Sequence, residues 1–277
     1  MADRLVIKTW EELKAFHGLI SADDKRRWLY RGQSEYLWDL KSGLERVMKR
    51  FGLDASDQEL WERHLVREFK RHYHRYTRDV PDDEDTARWL ALMQHHGAPT
   101  RLLDFTYSFH AAVFFAVETA QFGGAPAALW AVDHDWCWEH ATPHLPSTVI
   151  ELLKKDSKHR ESTEALLATK KPVAVPMNPF FFDERLAVQQ GVFLCPLALD
   201  RPFMENLGAK PTLDGTGYIM KVELQCKPGF IRDALRHLHE MNINRTTLFP
   251  GIDGLAQSMS NAVAMPWRFL EHRKWKK

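Results

Sequence analysis

Two periodicities follow one another along this chain, and their order restricts its fold more than any other feature. Before about residue 120, apolar residues recur mainly at helical spacing. After about residue 125, four segments read as strands bounded by Pro, Gly and Asp: "AALWAVDH", "KPVAVPM", "GVFLCPL" and "GYIMKVEL". The early part predicts a short strand and a helix capped by Thr9 with Glu12 three residues on. It then predicts a strand over Arg27–Gln33, a helix near Ser42–Phe51, a long helix over Asp57–Arg78 and another from Asp85 or Thr86 to Gln94 or His95. "SFHAAVFFAVETAQF" reads as a helix buried on most sides and stopped by Gly123-Gly124. A polar helical segment over about 147–169 looks like an insertion, and the last helices start at Pro228-Gly229 and within "LFPGIDGLAQSMSNAV". Because no strand–helix–strand alternation recurs, the expectation is one α+β domain over 1–277, helix-rich first and with a mixed or antiparallel sheet in its second half.

The length suits such a domain, since 277 residues with ten Trp and sixteen Phe supply a large core. The formal charge is +1, so no global imbalance points to nucleic acid or membrane. Cys137, Cys195 and Cys226 form no CxxC pair, which argues against a disulfide framework or a thiolate zinc site. The longest apolar run, Ala111–Val117, is too short to span a bilayer, and the N-terminus lacks a signal pattern. A soluble cytoplasmic protein without membrane contact is expected.

No phosphate loop, dinucleotide fingerprint, HExxH or GxSxG occurs. His95 and His96 make a poor metal pair, because helical neighbours point about 100° apart; no metal is expected. Chemistry concentrates instead in three polar stretches inside apolar surroundings. In "LYRGQ", Arg31 ends an apolar strand and precedes Gly32, so its planar fork either meets a phosphate or carboxylate or pairs with a core aspartate such as Asp104. "MQHHGAPTRLLDFT", Met93 to Thr106, carries Gln94, His95, His96, Thr100, Arg101 and Asp104, with Arg101 and Asp104 placed to form an ion pair. "ERLAVQQGVFL" brings Gln189 and Gln190 before a glycine. The segment Arg63–Arg78 adds six Lys/Arg against one Glu, with Tyr73 and Tyr76 among them. It reads either as a solvated basic face or as a nucleic-acid face using Lys70, Arg71, Tyr73 and Arg75.

Taken together, "YRGQ", "QHHGAPTRLLDFT", "QQGVF" and "LFPGIDGLA" resemble the FRG-domain family, named for an aromatic-Arg-Gly motif that is Tyr30-Arg31-Gly32 here. The resemblance runs from about Trp28 to Ala256. The motif is also similar to the arginine motif of ADP-ribosyltransferases, which implies a split sheet around a cleft that takes NAD as substrate. The implied catalytic residues are Arg31, Asp104, His95 and Gln190. The implied NAD contacts are Tyr30, Arg31, Gly32, Gln94, His96, Thr100, Arg101 and Gln189. The sequence departs from those enzymes where they carry a glutamate: that position is Gly191, and Asp104 is the candidate replacement. The implied function is an ADP-ribosyltransferase toxin of a toxin–antitoxin or phage-defence system, held by an antitoxin partner. RNA is favoured as acceptor over protein or DNA. The alternatives are a non-catalytic ligand-sensing or nucleic-acid-binding domain, or an NAD hydrolase.

Overall fold

The computed structural model describes residues 4–120, 125–155, 159–178 and 184–263. Strand β1 (Val6–Ile7) leads into helix α1 (Trp10–Ile20), whose Thr9 cap accepts from the Glu12 amide while the Glu12 carboxylate accepts from the Lys8 amide. Strand β2 (Trp28–Gln33) precedes α2 (Gly43–Arg50), α3 (Gln58–Tyr73) and α4 (Thr86–His95). Strand β3 (Leu103–Thr106), α5 (Phe109–Glu118) and β4 (Ala127–Asp133) come next. Helices α6 (His134–Ala141), α7 (Ser147–Leu153) and α8 (His159–Ala168) lead to β5 (Ala174–Met177), α9 (Glu184–Val188) and β6 (Gly191–Pro196). The described chain closes with α10 (Phe203–Asn206), β7 (Ile219–Leu224), α11 (Pro228–Glu240), α12 (Arg245–Leu248) and α13 (Ile252–Val263).

The fold is α+β, as the order of periodicities predicts, built on one seven-stranded mixed sheet in the order β1-β7-β4-β2-β3-β6-β5. All neighbours are antiparallel except β1 and β7. The ladder is nevertheless uneven: β2 pairs with β4 along all six residues and β3 with β6 along all four, but β2 and β3 share only the pair Tyr30–Thr106. The seven strands therefore form two well-zipped halves joined at a narrow seam.

Side-chain alternation assigns three core clusters to the two faces. One face carries Leu29, Leu103, Phe105, Trp130, Val132, Val192 and Leu194. On the other, Tyr30, Leu129 and Ala131 pack under α1, α5 and α11, while Phe193, Cys195 and Val175 pack under α4, α7 and α8. The line between these two helical layers runs along β3.

Several expectations need correction. The central polar stretch contains β3, a strand the sequence pattern does not show because four residues offer only two alternations to detect. Helix α6 begins directly after β4, where Asp133 accepts from the amides of Asp135 and Trp136 and so converts the strand end into a helix cap. Helix α3 stops at Tyr73 instead of Arg78, so Arg75 and Tyr76 lie in the turn beyond it. The segment 147–169 holds two helices, α7 and α8. Gly123-Gly124 and the basic residues 272–277, "HRKWKK", lie outside the described residues.

Candidate functional site

Among the residues of the seven strands, only Asp104 is exposed. Its register partner on β6 is the buried Phe193, and two residues along the same face Thr106 is buried beside Tyr30 and Gly191. Asp104 therefore lies on the floor between the α5 and α4 layers, the one exposed strand position among the described residues. Local sequence explains the opening. Gly97, with φ +79, and the following Pro99 end α4 short of β3, and the chain turns back under its own helix end.

The Asp104 carboxylate is held from one side. Its Oδ2 accepts from Gln94 Nε2 at 2.8 Å, Gln94 Oε1 accepts from Thr100 Oγ1 at 2.6 Å, and Thr100 Oγ1 accepts from the Leu102 amide at 3.1 Å. The Thr100 hydroxyl, fully buried, leaves the Gln94 amide one orientation, with its N–H pointing at the carboxylate. The other oxygen, Oδ1, has no hydrogen bond among the described residues. Gln94, Thr100 and Asp104 are thus brought together as the sequence predicts, although the residues act as one chain of hydrogen bonds and not as separate ligands.

Arg31 sits at the seam. Its Nη1 donates to the Asp104 carbonyl at 2.6 Å, bridging strands whose ladder has already ended, and its buried Nε has no partner among the described residues. Burial lowers its pKa to about 10; the Asp104 charge opposes that shift and the Arg46 charge adds to it. Arg46, from α2, is a neighbour that the motif reading missed, because nothing local in "GLERVMKR" shows that α2 folds back toward β2. The expected Arg31–Asp104 contact exists, but it reaches the backbone oxygen and not the carboxylate.

Gly32 and Tyr30 have different reasons to be there than ligand contact. A Cβ on Gly32 would lie 2.0 Å from the Ala112 carbonyl oxygen and 2.5 Å from the Ala116 amide, so this glycine lets α5 lie against β2. Tyr30 is buried with its ring edge-on to Phe109 at 5.3 Å, and burial raises the pKa of its phenol. Both positions of the aromatic-Arg-Gly motif that flank the arginine therefore seat α5.

Arg101 departs most from expectation. It pairs with Glu62 of α3, not with Asp104. Its Nε donates at 2.9 Å to both carboxylate oxygens, Nη2 donates to Oε2, and the side chains are 9% and 6% exposed. Burial alone would lower the Arg101 pKa, but the charge and hydrogen bonds of Glu62 outweigh it and raise the value. This pair fastens α3 to the loop before β3 and borders a cavity of about 340 Å³ between α3 and α8. Glu62 was hidden in the sequence because it falls on a helix that reads as a basic face.

The remaining candidates scatter. His95 is half-buried and His96 exposed, their rings edge-to-face at 4.8 Å at the end of α4. Gln189 donates to the Leu248 carbonyl at 2.8 Å, and its own carbonyl accepts from Thr106 Oγ1, so it ties α9 to α12 and β3. Gln190 is exposed at φ +48, and its carbonyl accepts from the Tyr107 amide. A Cβ on Gly191 would lie 2.2 Å from Leu186 Cδ1, which leaves little room there for a carboxylate. On α3, Lys70 donates to the Asp83 carbonyl, Arg71 pairs with Glu68 at 2.9 Å, and Tyr73 packs against Phe69 and Trp89. Tyr73 is thus part of the α3–α4 contact, whereas Tyr76 is 85% exposed. Among the described residues, no group of three His, Cys, Asp or Glu is arranged to hold a metal, and no helix is long and apolar enough to cross a membrane.

No curated protein and no solved structure matches this chain. One family model does, over residues 26–123, the stretch that contains β2, the seam, α3, α4 and Asp104. That model is the FRG domain, to which residues 26–123 are similar.

Proposed function

We propose that this protein is an NAD-dependent ADP-ribosyltransferase whose chemistry is centred on Asp104. The observation that carries the reading is the single exposed strand carboxylate, held by Gln94 and Thr100 with one oxygen left open. In such a transfer the glycosidic C–N bond of NAD breaks, its electron pair leaves with nicotinamide, and an acceptor nucleophile bonds to ribose C1′ as it loses a proton. A fixed carboxylate beside C1′ stabilises the positive charge that develops there, and being already oriented it costs little reorganisation in the transition state. Arg31 and Arg46, whose charge is felt at Arg31, are two neighbouring cations suited to the diphosphate. His95, at the α4 end that supplies Gln94, is the candidate acceptor of the proton. The toxin or phage-defence setting, with an antitoxin partner, rests on the family resemblance.

A second reading, a ligand-binding domain without catalysis, draws on two observations: Gly191 leaves no carboxylate on β6, and Arg31 is already engaged with a strand carbonyl. The test uses NAD labelled in its adenylate phosphate, incubated with protein and with cellular RNA, DNA or protein in turn. Transfer of label, lost in Asp104→Asn with unchanged thermal stability, is the expected result. Nicotinamide release without a labelled acceptor assigns hydrolysis. NAD binding without turnover in the wild type refutes the transferase and leaves the binding domain.

A further inference from the structure

The basic segment Arg63–Arg78 carries a surplus of five positive charges from Lys, Arg and Glu alone, whereas the whole chain carries +1. The rest of the protein is therefore acidic on balance, and the charge is concentrated on one element. Arg63, Arg67 and Arg71 are exposed at four-residue spacing along α3, about 6 Å apart on the helix axis. Arg63, Arg67, Arg75 and Arg78 have no ion pair among the described residues. Most of the acidic turn at 79–85 is engaged elsewhere: Asp79 pairs with Arg88, Asp82 and Glu84 with Arg160, and Asp85 caps α4, which leaves Asp83 as the acid of the turn that faces the row. Arg63, Arg67, Lys70 and Arg71 line a groove of about 630 Å³ whose far wall is Asp83 and Thr86. Beyond the last turn of α3 stands Tyr76, its ring 85% exposed beside Arg75 and Arg78.

We infer that this face binds a single-stranded polynucleotide, with the arginine row on successive phosphates and Tyr76 stacked on a base. Regularly spaced cations, of which Arg63 and Arg67 have no acid partner among the described residues while Arg71 has Glu68 beside it, suit a polyanion. An exposed ring at the end of the row suits an unpaired base, since a duplex offers no free base face. Glu62, which lines the groove, is the residue clamped to Arg101 three positions before Asp104, so the docked strand would lie one ion pair from the proposed centre. The inference rests on the transferase reading only in naming the acceptor; the binding itself needs no NAD.

Anisotropy of fluorescein-labelled U12 and dT12, titrated with the full chain without NAD across a salt series, tests it. The triple variant Arg63→Gln/Arg67→Gln/Arg75→Gln should weaken binding at low salt at least about thirtyfold. It should also lower the log–log salt slope by about 2, three contacts at ~0.7 each. Tyr76→Ala should weaken binding about tenfold. These side chains are exposed, so circular dichroism and melting should match the wild type. Preference for U12 identifies RNA; equal binding of U12 and dT12 identifies the shared phosphodiester chain, and both support the site. Absence of wild-type binding, tighter binding of a duplex, or equal displacement by polyglutamate with no effect of Tyr76→Ala would overturn it. If U12 binds as described while no cellular RNA, DNA or protein takes label from NAD, the docking face stands and the transferase reading fails.

Discussion

Replacing Glu62 with Gln tests how the central polar stretch is held. The substitution keeps shape but removes the charge opposite Arg101, leaving a guanidinium only 9% exposed without its counterion. Gln can still accept from Nε, but its amide N–H₂ faces the Arg101 Nη2 donor, so one of the contacts becomes repulsive. Nη1 already lacks a partner, so no second acceptor takes up the loss. Breaking a buried pair from one side costs about 3–5 kcal/mol. At roughly 2–4 °C per kcal/mol for a chain of this size, the melting temperature should fall by about 6–20 °C. Urea unfolding followed by tryptophan fluorescence measures the loss, and Glu62→Leu/Arg101→Met supplies the control. With both charges gone, stability should return to within about 1 kcal/mol of the wild type or exceed it. A loss below about 1 kcal/mol in Glu62→Gln, or a double variant as unstable as the single one, would refute a buried, charge-dependent clamp.

Gly32→Ala should cost about 3 kcal/mol or more, because the new methyl meets backbone on two residues of α5 and the helix must lift from β2. Gly229→Ala in α11, where nothing lies within 4 Å, should be neutral or stabilising by up to about 1 kcal/mol in the same assay. Burial lowers the His17 and His110 pKa values below the ordinary 6.5, and for His17 the charge of His110 adds to the shift; the rings lie 5.1 Å apart. Their contribution is complete above about pH 6.5 and is lost as pH falls through the lowered values, so His110→Gln should flatten the acid side of a stability–pH curve. Gln94→Ala should cut the turnover number for transfer about tenfold or more by releasing Asp104, from the loss of one charge-assisted hydrogen bond. An unchanged turnover number would show that the carboxylate needs no such hold.

What the sequence determined by itself is what neighbouring residues decide among themselves. The bounded apolar runs "AALWAV" and "YIMKVEL", the Thr9 cap and the α4 stop at Gly97 all depend on residues within a few positions, and they fold as read. The stretch Gln94–Thr106 was likewise legible as a place where polar groups meet, because a chain rarely places so many of them between apolar flanks without partners for them. The partners themselves were not legible. Arg101 lies three residues from Asp104 yet pairs with Glu62, thirty-nine positions away, because β3 turns Asp104 to the open floor while Arg101 meets α3. Gly32 reads as space for a ligand until α5 is seen to fill it. Gln189 reads as a pocket amide until the Leu248 carbonyl accepts its hydrogen. Asp104 stands exposed only because two helical layers cover the sheet on either side of β3 and stop short of it. Local periodicity is written in neighbouring residues, but which charge is paired and which is left open depends on how distant segments approach, and only the tertiary structure decides that.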